Sequence, residues 1–273
     1  MATKTWLITG CSTGFGRALA QVLLEHGENV AATARRPEAL DELVAPHGER
    51  ALALKLDVTN SEEVADAVAA ARAHFGQIEV LVNNAGYGQF GTVESLSLEA
   101  ARANMETNYF GALAMIREIL PEMIERRAGQ IVNIGSVAGQ IGFPALGYYC
   151  ATKFALSGLT ESMGAELAPL GINVTIAELG PFNTEFNNSL FYEQPAEYYD
   201  LAALSKEAGN DAWIYGDPRD AAEALCSALD DPAPPRRLVL GQTALDTMRL
   251  HEGRRMAERE RWMPTTLQAQ LLD

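Results

Sequence analysis

Short apolar runs alternate along the chain with stretches whose apolar residues recur every three or four positions. The runs are Trp6 to Thr9, Asn29 to Thr33, Ala51 to Leu56, Glu79 to Val82, Gln130 to Ile134, Asn173 to Ala177 and Arg237 to Leu240, each the length of a strand buried on both faces. The intervening segments read as helices. In Ser61 to Phe75, Val64, Ala67, Val68 and Ala71 keep one apolar face, and Ser61 is placed to cap the N-terminus. Strand–helix alternation predicts an α/β fold, a doubly wound parallel sheet of about seven strands with helices on both faces. Ligands of such sheets bind beyond the carboxyl ends of the strands, where Gly10, Asn83, Ser136 and Gly180 all fall.

Two local patterns carry chemistry. Gly10-Cys11-Ser12-Thr13-Gly14-Phe15-Gly16 follows the first run at once and leads into the helical pattern Ala18, Leu19, Val22, Leu23. A strand, a glycine-rich turn and a helix start form a phosphate site: the glycines let backbone approach, and free N–H groups with the positive helix end meet the anion. The second pattern is Tyr149-Cys150-Ala151-Thr152-Lys153, with Ser136 upstream at a predicted strand end. Spacing of i and i+4 sets a phenol and an ammonium on one helix face, where the cation is expected to lower a phenol pKa that is ordinarily about 10.

These motifs, in this order, resemble the short-chain dehydrogenases/reductases over nearly the whole chain. Thr9 to Gly16 is similar to the family's cofactor loop, Asp57 with Val58 to its adenine-side acid, and Asn83-Asn84-Ala85-Gly86 to the motif that steadies its central sheet. Asn108, Ser136, Tyr149 and Lys153 match its catalytic tetrad. The resemblance implies a single Rossmann-type domain over 1–273, a substrate lid over 184–217, and cofactor contacts from Gly10, Ser12, Thr13, Gly14, Phe15, Gly16, Asp57, Val58, Asn83, Ala85, Gly86, Tyr149, Lys153, Gly180, Pro181, Phe182 and Thr184. One departure is visible. Leu179 stands before Gly180 where the family usually has proline, which removes a φ restraint beside the nicotinamide.

Cofactor choice is read at the end of the second run. Small Ala34 occupies the place where an acid would hold the ribose hydroxyls, and Arg35 and Arg36 follow, suited to a bidentate grip on a 2'-phosphate. NADP(H) is the expected cofactor. The family resemblance then implies an NADP(H)-dependent oxidoreductase interconverting a ketone and a secondary alcohol. Tyr149 is its general acid/base, Ser136 orients the oxygen, Lys153 holds the ribose and tunes the phenol, and Asn108 supports a proton-supplying water. A redox-neutral dehydratase, epimerase or bond-cleaving enzyme of the same type, or a dinucleotide-binding sensor, remains the alternative.

Aromatic residues crowd the segment after Thr184: Phe186, Phe191, Tyr192, Tyr198, Tyr199, Trp213 and Tyr215. Together with Phe143 and Leu146 they suggest a bulky apolar substrate, with Phe186, Phe191 and Tyr192 against it, though the same rings would also pack a lid onto the body. The tail 243–273 carries Arg249, Arg254, Arg255, Arg259 and Arg261 among several Glu and reads as a solvated helix, with Trp262 and Met263 candidates to close the pocket or meet a subunit. A formal charge of -15 disfavours nucleic acid. No apolar run reaches membrane-span length, and no secretory leader pattern opens the sequence. Three scattered cysteines, Cys11, Cys150 and Cys226, form neither a disulfide framework nor a metal site. A cytoplasmic enzyme, homodimeric or homotetrameric and without metal, is the resulting expectation.

Overall fold

The computed structural model describes residues 3–186, 191–193, 199–200 and 213–269, with only the backbone of Phe191 and Tyr192. In chain order the main elements are β1 (Thr5–Ile8), α1 (Gly14–Glu25), β2 (Asn29–Ala34), the single turn α2 (Asp41–Val44), β3 (Ala51–Lys55), α3 (Ser61–Phe75), β4 (Val80–Asn83) and β5 (Gln89–Phe90). There follow α4 (Leu98–Met105), α5 (Gly111–Arg126), β6 (Gly129–Ser136), α6 (Gly147–Leu167), β7 (Ile172–Leu179), β8 (Phe191–Tyr192), α7 (Pro218–Leu229), β9 (Arg237–Leu240) and α8 (Gln242–Gln268).

All seven apolar runs become strands of one parallel sheet, ordered β3-β2-β1-β4-β6-β7-β9. The strands read as unbroken apolar runs because alternate residues go to two cores. Trp6, Ile8, Val30, Ala32, Val80 and Val82 join the side chains of α1 and α7, while Leu7, Ala31 and Leu81 join those of α3, α5 and α6. Strand order reverses between β1 and β4, so the crevice at their carboxyl ends is the topological switch point where such sheets bind ligands.

Two features differ from the sequence expectation. The cap of α3 is Asn60, not Ser61: its Oδ1 accepts from the N–H groups of Glu62 and Glu63 at 3.0 and 3.3 Å. Asparagine and serine cap equally well, and pattern alone did not separate neighbours. The pair β5–β8 is new; each strand is two residues long, too short to show a period. It sets Phe191 and Tyr192 in register with Gln89 and Phe90 by backbone alone.

Candidate active site

The glycine turn is held from below by β4. Gly10 and Gly14 adopt φ of +74 and +62°, which favours glycine, and a Cβ on Gly10 would lie 2.9 Å from the Ala85 backbone. Thr9 Oγ1 accepts from the N–H groups of Asn84 and Ala85 at 2.9 Å each, and Asn84 Nδ2 donates to the carbonyls of Thr9 and Gly10 at 2.9 Å. A side chain on Gly16 would overlap Asn84, so α1 begins tight against this clamp. The Thr13 cap makes no side-chain hydrogen bond and the first turn of α1 carries no acid. Its N–H groups and positive dipole end are therefore disposed toward an anion.

Beside this cradle, β2 ends at buried Ala34 with Arg35 and Arg36 exposed. None of the hydrogen bonds or ion pairs among the described residues engages either guanidinium. Asp57 Oδ1 accepts from Thr59 N–H at 3.0 Å and Thr59 Oγ1 at 2.7 Å. Partial burial works to raise its carboxyl, but these bonds and nearby Arg35 and Lys55 outweigh it and hold the carboxyl below the usual range. Thr184 comes back to Gly14, 3.6 Å from where a Cβ there would stand, so the far end of the crevice folds over the glycine turn.

Ser136, Tyr149 and Lys153, the candidate acid–base residues, meet where β6 and α6 converge. Ser136 is the last residue of β6, Tyr149 lies in the first turn of α6, and Lys153 follows one turn on. Tyr149 is 7% exposed and Lys153 6%. Lys153 Nζ donates to the Ile134 carbonyl at 2.8 Å and stands 5.8 Å from the Tyr149 ring centroid. Burial raises the phenol above its ordinary value, against a hydrogen bond with Ser136, and burial lowers Lys153 to about 8. This corrects the expectation that Lys153 pulls the phenol down. Desolvation of the phenolate is the larger effect, and the ammonium is turned to a backbone carbonyl.

Asn108 sits in a π-turn, Glu106–Phe110, between α4 and α5. Such a turn widens the helix and recurs at functional sites. Asn108 Oδ1 accepts from Tyr87 N–H at 3.0 Å, and its Nδ2 donates to the Tyr87 carbonyl at 3.0 Å and to Thr152 Oγ1 at 3.1 Å. Thr152 in turn donates to the Tyr149 carbonyl at 2.8 Å. One amide thus ties the segment after Gly86 to the turn that carries the phenol.

An apolar wall surrounds Tyr149. Phe186 lies 5.8 Å from its ring centroid, and Trp213 packs edge-on to Phe143 at 6.0 Å. Leu146, Val137, Ile141, Val239, Ala244 and Met248 complete the cluster.

The family model described as short chain dehydrogenase matches residues 4–195. The chain belongs to this family. Human 17-beta-hydroxysteroid dehydrogenase type 1 is 34% identical over 272 residues, which cover 92% of this chain and 81% of that protein. A short-chain dehydrogenase of Streptomyces avermitilis superposes with a TM-score of 0.90 at 39% identity, covering 99% of this chain and 100% of that one. One from Burkholderia cenocepacia, in complex with NADP, gives 0.75 at 30% identity over 95% and 97%.

Not every sequence candidate has its side chain free for a ligand in this short-chain dehydrogenase. Phe15 and Phe182 are packed into the α1-side core, Val58 is pressed against Gly111, and Asn83 Nδ2 donates to Asn133 Oδ1 at 2.9 Å inside the sheet. Gly216 N–H donates to the Pro181 carbonyl at 3.1 Å. Leu179, in place of proline, ends β7 in register with Ser136 and Leu240, and Gly180 N–H donates to Leu240 O at 2.9 Å, so pairing restrains the loop. Trp262 and Met263 stay at the exposed end of α8, 52 and 50% accessible; Ala244 and Met248, from its first turns, reach the apolar cluster instead. Tyr148 Oη donates to the Val93 carbonyl at 3.1 Å, a packing role. All three cysteines are free and buried; Cys11 and Cys226 are pushed by burial to about 12, and Cys150 upward, so none is a nucleophile. Much of segment 184–217, Tyr198 included, lies outside the described residues, as do the side chains of Phe191 and Tyr192. Among the described residues no group of metal-binding side chains occurs, and no helix is long and apolar enough to cross a membrane.

Proposed function

We propose that this short-chain dehydrogenase is an NADP(H)-dependent oxidoreductase that interconverts a bulky apolar ketone and its secondary alcohol. The observation that carries the reading is a buried phenol, with Lys153 one helical turn on and Ser136 at the end of β6, set in an apolar wall. The residues present fit the dinucleotide: α1 offers uncapped N–H groups, and Arg35 and Arg36 offer guanidinium groups to a 2'-phosphate. The NADP-bound Burkholderia relative supports the same choice. When bound, NADP(H) gives or takes the hydride.

The protein's own groups do the rest. Ser136 Oγ donates to the substrate oxygen and fixes its direction, while Tyr149 Oη gives that oxygen a proton in reduction and takes it back in oxidation. A phenol that holds its proton at neutral pH is suited to reduction. Lys153 reaches the ribose side, where a Cβ on Gly86 would lie 3.8 Å from Nζ, and Asn108 keeps α6 in place. Phe143, Leu146, Phe186 and Trp213 exclude water and receive apolar surface, in keeping with a hydroxysteroid dehydrogenase among the relatives.

Loss of NADPH absorbance on a panel of bulky apolar ketones, with NADH in parallel, tests this. Turnover with NADPH preferred, and reduced by about 100-fold or more in Tyr149→Phe, is expected. Tight NADPH binding with no oxidation on any ketone would overturn it in favour of redox-neutral chemistry.

A further inference from the structure

Glu178 is a buried charge that the proposed chemistry does not use. It lies on β7 opposite Gly135 of β6 and Val239 of β9, and its side chain is 0% exposed. Along that face of β7, Val174 and Ile172 meet the apolar side of α6, so a carboxylate breaks the pattern. Its Oε1 accepts from Gln140 Nε2 at 2.8 Å and from Arg237, while Oε2 has no partner. Burial pushes the carboxyl up and Arg237 pulls it back. A buried carboxylate with one bare oxygen costs stability relative to an apolar residue, which directs attention to what it holds.

It holds one turn. Gln140 closes Val137–Gly139, the turn that leaves Ser136, with its N–H donating to the Val137 carbonyl at 3.0 Å. Ser136 Oγ accepts from Ala138 N–H at 3.1 Å at the other end. The turn lies flat on α6, where a Cβ on Gly139 would meet the Lys153 carbonyl oxygen at 2.9 Å. The two donors that reach Glu178 also reach Ser157 Oγ, one helical turn beyond Lys153: Gln140 Nε2 at 2.9 Å and Arg237 Nη1 at 3.2 Å. Arg255 of α8 adds a bond to the Gln140 carbonyl. Strand β7, the turn and α6 therefore share one small polar knot.

We propose that Glu178 is a positioning residue, which through Gln140 and Ser157 holds the Val137–Gly139 turn against α6 and so sets the Ser136 hydroxyl relative to the Tyr149 phenol. The inference rests on the ketone–alcohol reading for its kinetic half and on geometry alone for its structural half. Glu178→Leu removes the acceptor, Glu178→Gln keeps an acceptor oxygen without the charge, and Gln140→Leu breaks the same contact from the other side. For Glu178→Leu we expect kcat to fall by about 10- to 100-fold, with KM for ketone and NADPH within about threefold of wild type. Amide hydrogen exchange across residues 136–141 is expected to quicken in that variant and to stay as in wild type in Glu178→Gln, which also retains most of kcat. Because both leucine changes break one contact, the double variant should be no slower than the worse single one. Wild-type exchange and kcat in Glu178→Leu, or fully additive losses in the double variant, would overturn the proposal. Should Glu178→Leu fail to fold, Gln140→Leu carries the same readouts with the Glu178–Arg237 pair intact. If the wild type reduces no ketone, the chemical reading fails separately, and the exchange result still decides whether Glu178 holds the turn.

Discussion

The glycine turn and the apolar cluster around Tyr149, the proposed cofactor and substrate sites, are built in opposite ways. Gly10 to Gly16 is a single uninterrupted stretch, whose positive φ angles and missing side chains do the work locally. The wall is gathered from Phe143 and Leu146 before α6, Phe186 and Trp213 from near the two ends of segment 184–217, and Ala244 and Met248 of α8. A contiguous site tolerates no change in its backbone, because every residue serves one turn. A gathered site presents side chains on separate supports, so single replacements alter fit without undoing the fold. The difference teaches where specificity can vary in this molecule and where it cannot.

Substitutions at the two sites should break apart in kind and size. The largest effect is expected from Gly10→Ala, which puts a Cβ into the Ala85 backbone at a φ of +74°. Titration of NADPH fluorescence should show affinity reduced by about 100-fold, and thermal unfolding a loss of about 1–3 kcal/mol. Replacing Arg35 and Arg36 together by Ala should weaken NADPH by about 10- to 100-fold while leaving NADH within about threefold, because only the 2'-phosphate is lost to the guanidinium groups. Equal weakening of both cofactors would remove the arginines from cofactor choice. On the opposite wall, Trp213→Ala should raise KM for bulky ketones about tenfold and leave the NADPH dissociation constant unchanged. Loss of cofactor affinity there would show that the two regions are not separable.

A last effect, on stability alone, concerns Lys153. Burial depresses Lys153 to about 8 from an ordinary 10.5, so over that pH interval the unfolded chain binds more protons than the folded one and stability rises with pH. Below about 8 the full cost is present. Lys153→Met should therefore be more stable than wild type at pH 7, by up to about 3 kcal/mol, with the advantage shrinking as pH climbs from 8 toward 10.5, read from denaturant unfolding. A constant difference across that window would mean that the ammonium is not desolvated as the structure has it.

Strand identity was legible because burial on both faces writes an apolar run of strand length, and all seven runs paired. The placement of Tyr149 and Lys153 one turn apart on α6, and of Ser136 at the end of β6, was legible through spacing. Asn84 was only partly visible. Its motif pointed to sheet support, but nothing local says that its amide clamps the Thr9 and Gly10 carbonyls from a separate strand. Phe15, Phe182 and Asn83 matched motif positions, yet their side chains serve the core and the sheet. A motif fixes backbone placement more firmly than side-chain role, since one position can give its N–H to a ligand and its ring to the interior.

By itself, the sequence determined the strands of the sheet, the glycine turn and the helix face shared by Tyr149 and Lys153, because each depends on residues within a turn or two of one another. Only the tertiary structure decided the state of the groups there. That burial raises Tyr149, that α8 lends Met248 rather than Trp262 to the apolar wall, and that Gln140 bridges Glu178 and Ser157 all follow from desolvation and long-range contact. Neither has a period or a spacing along the chain, so neither is written in it locally.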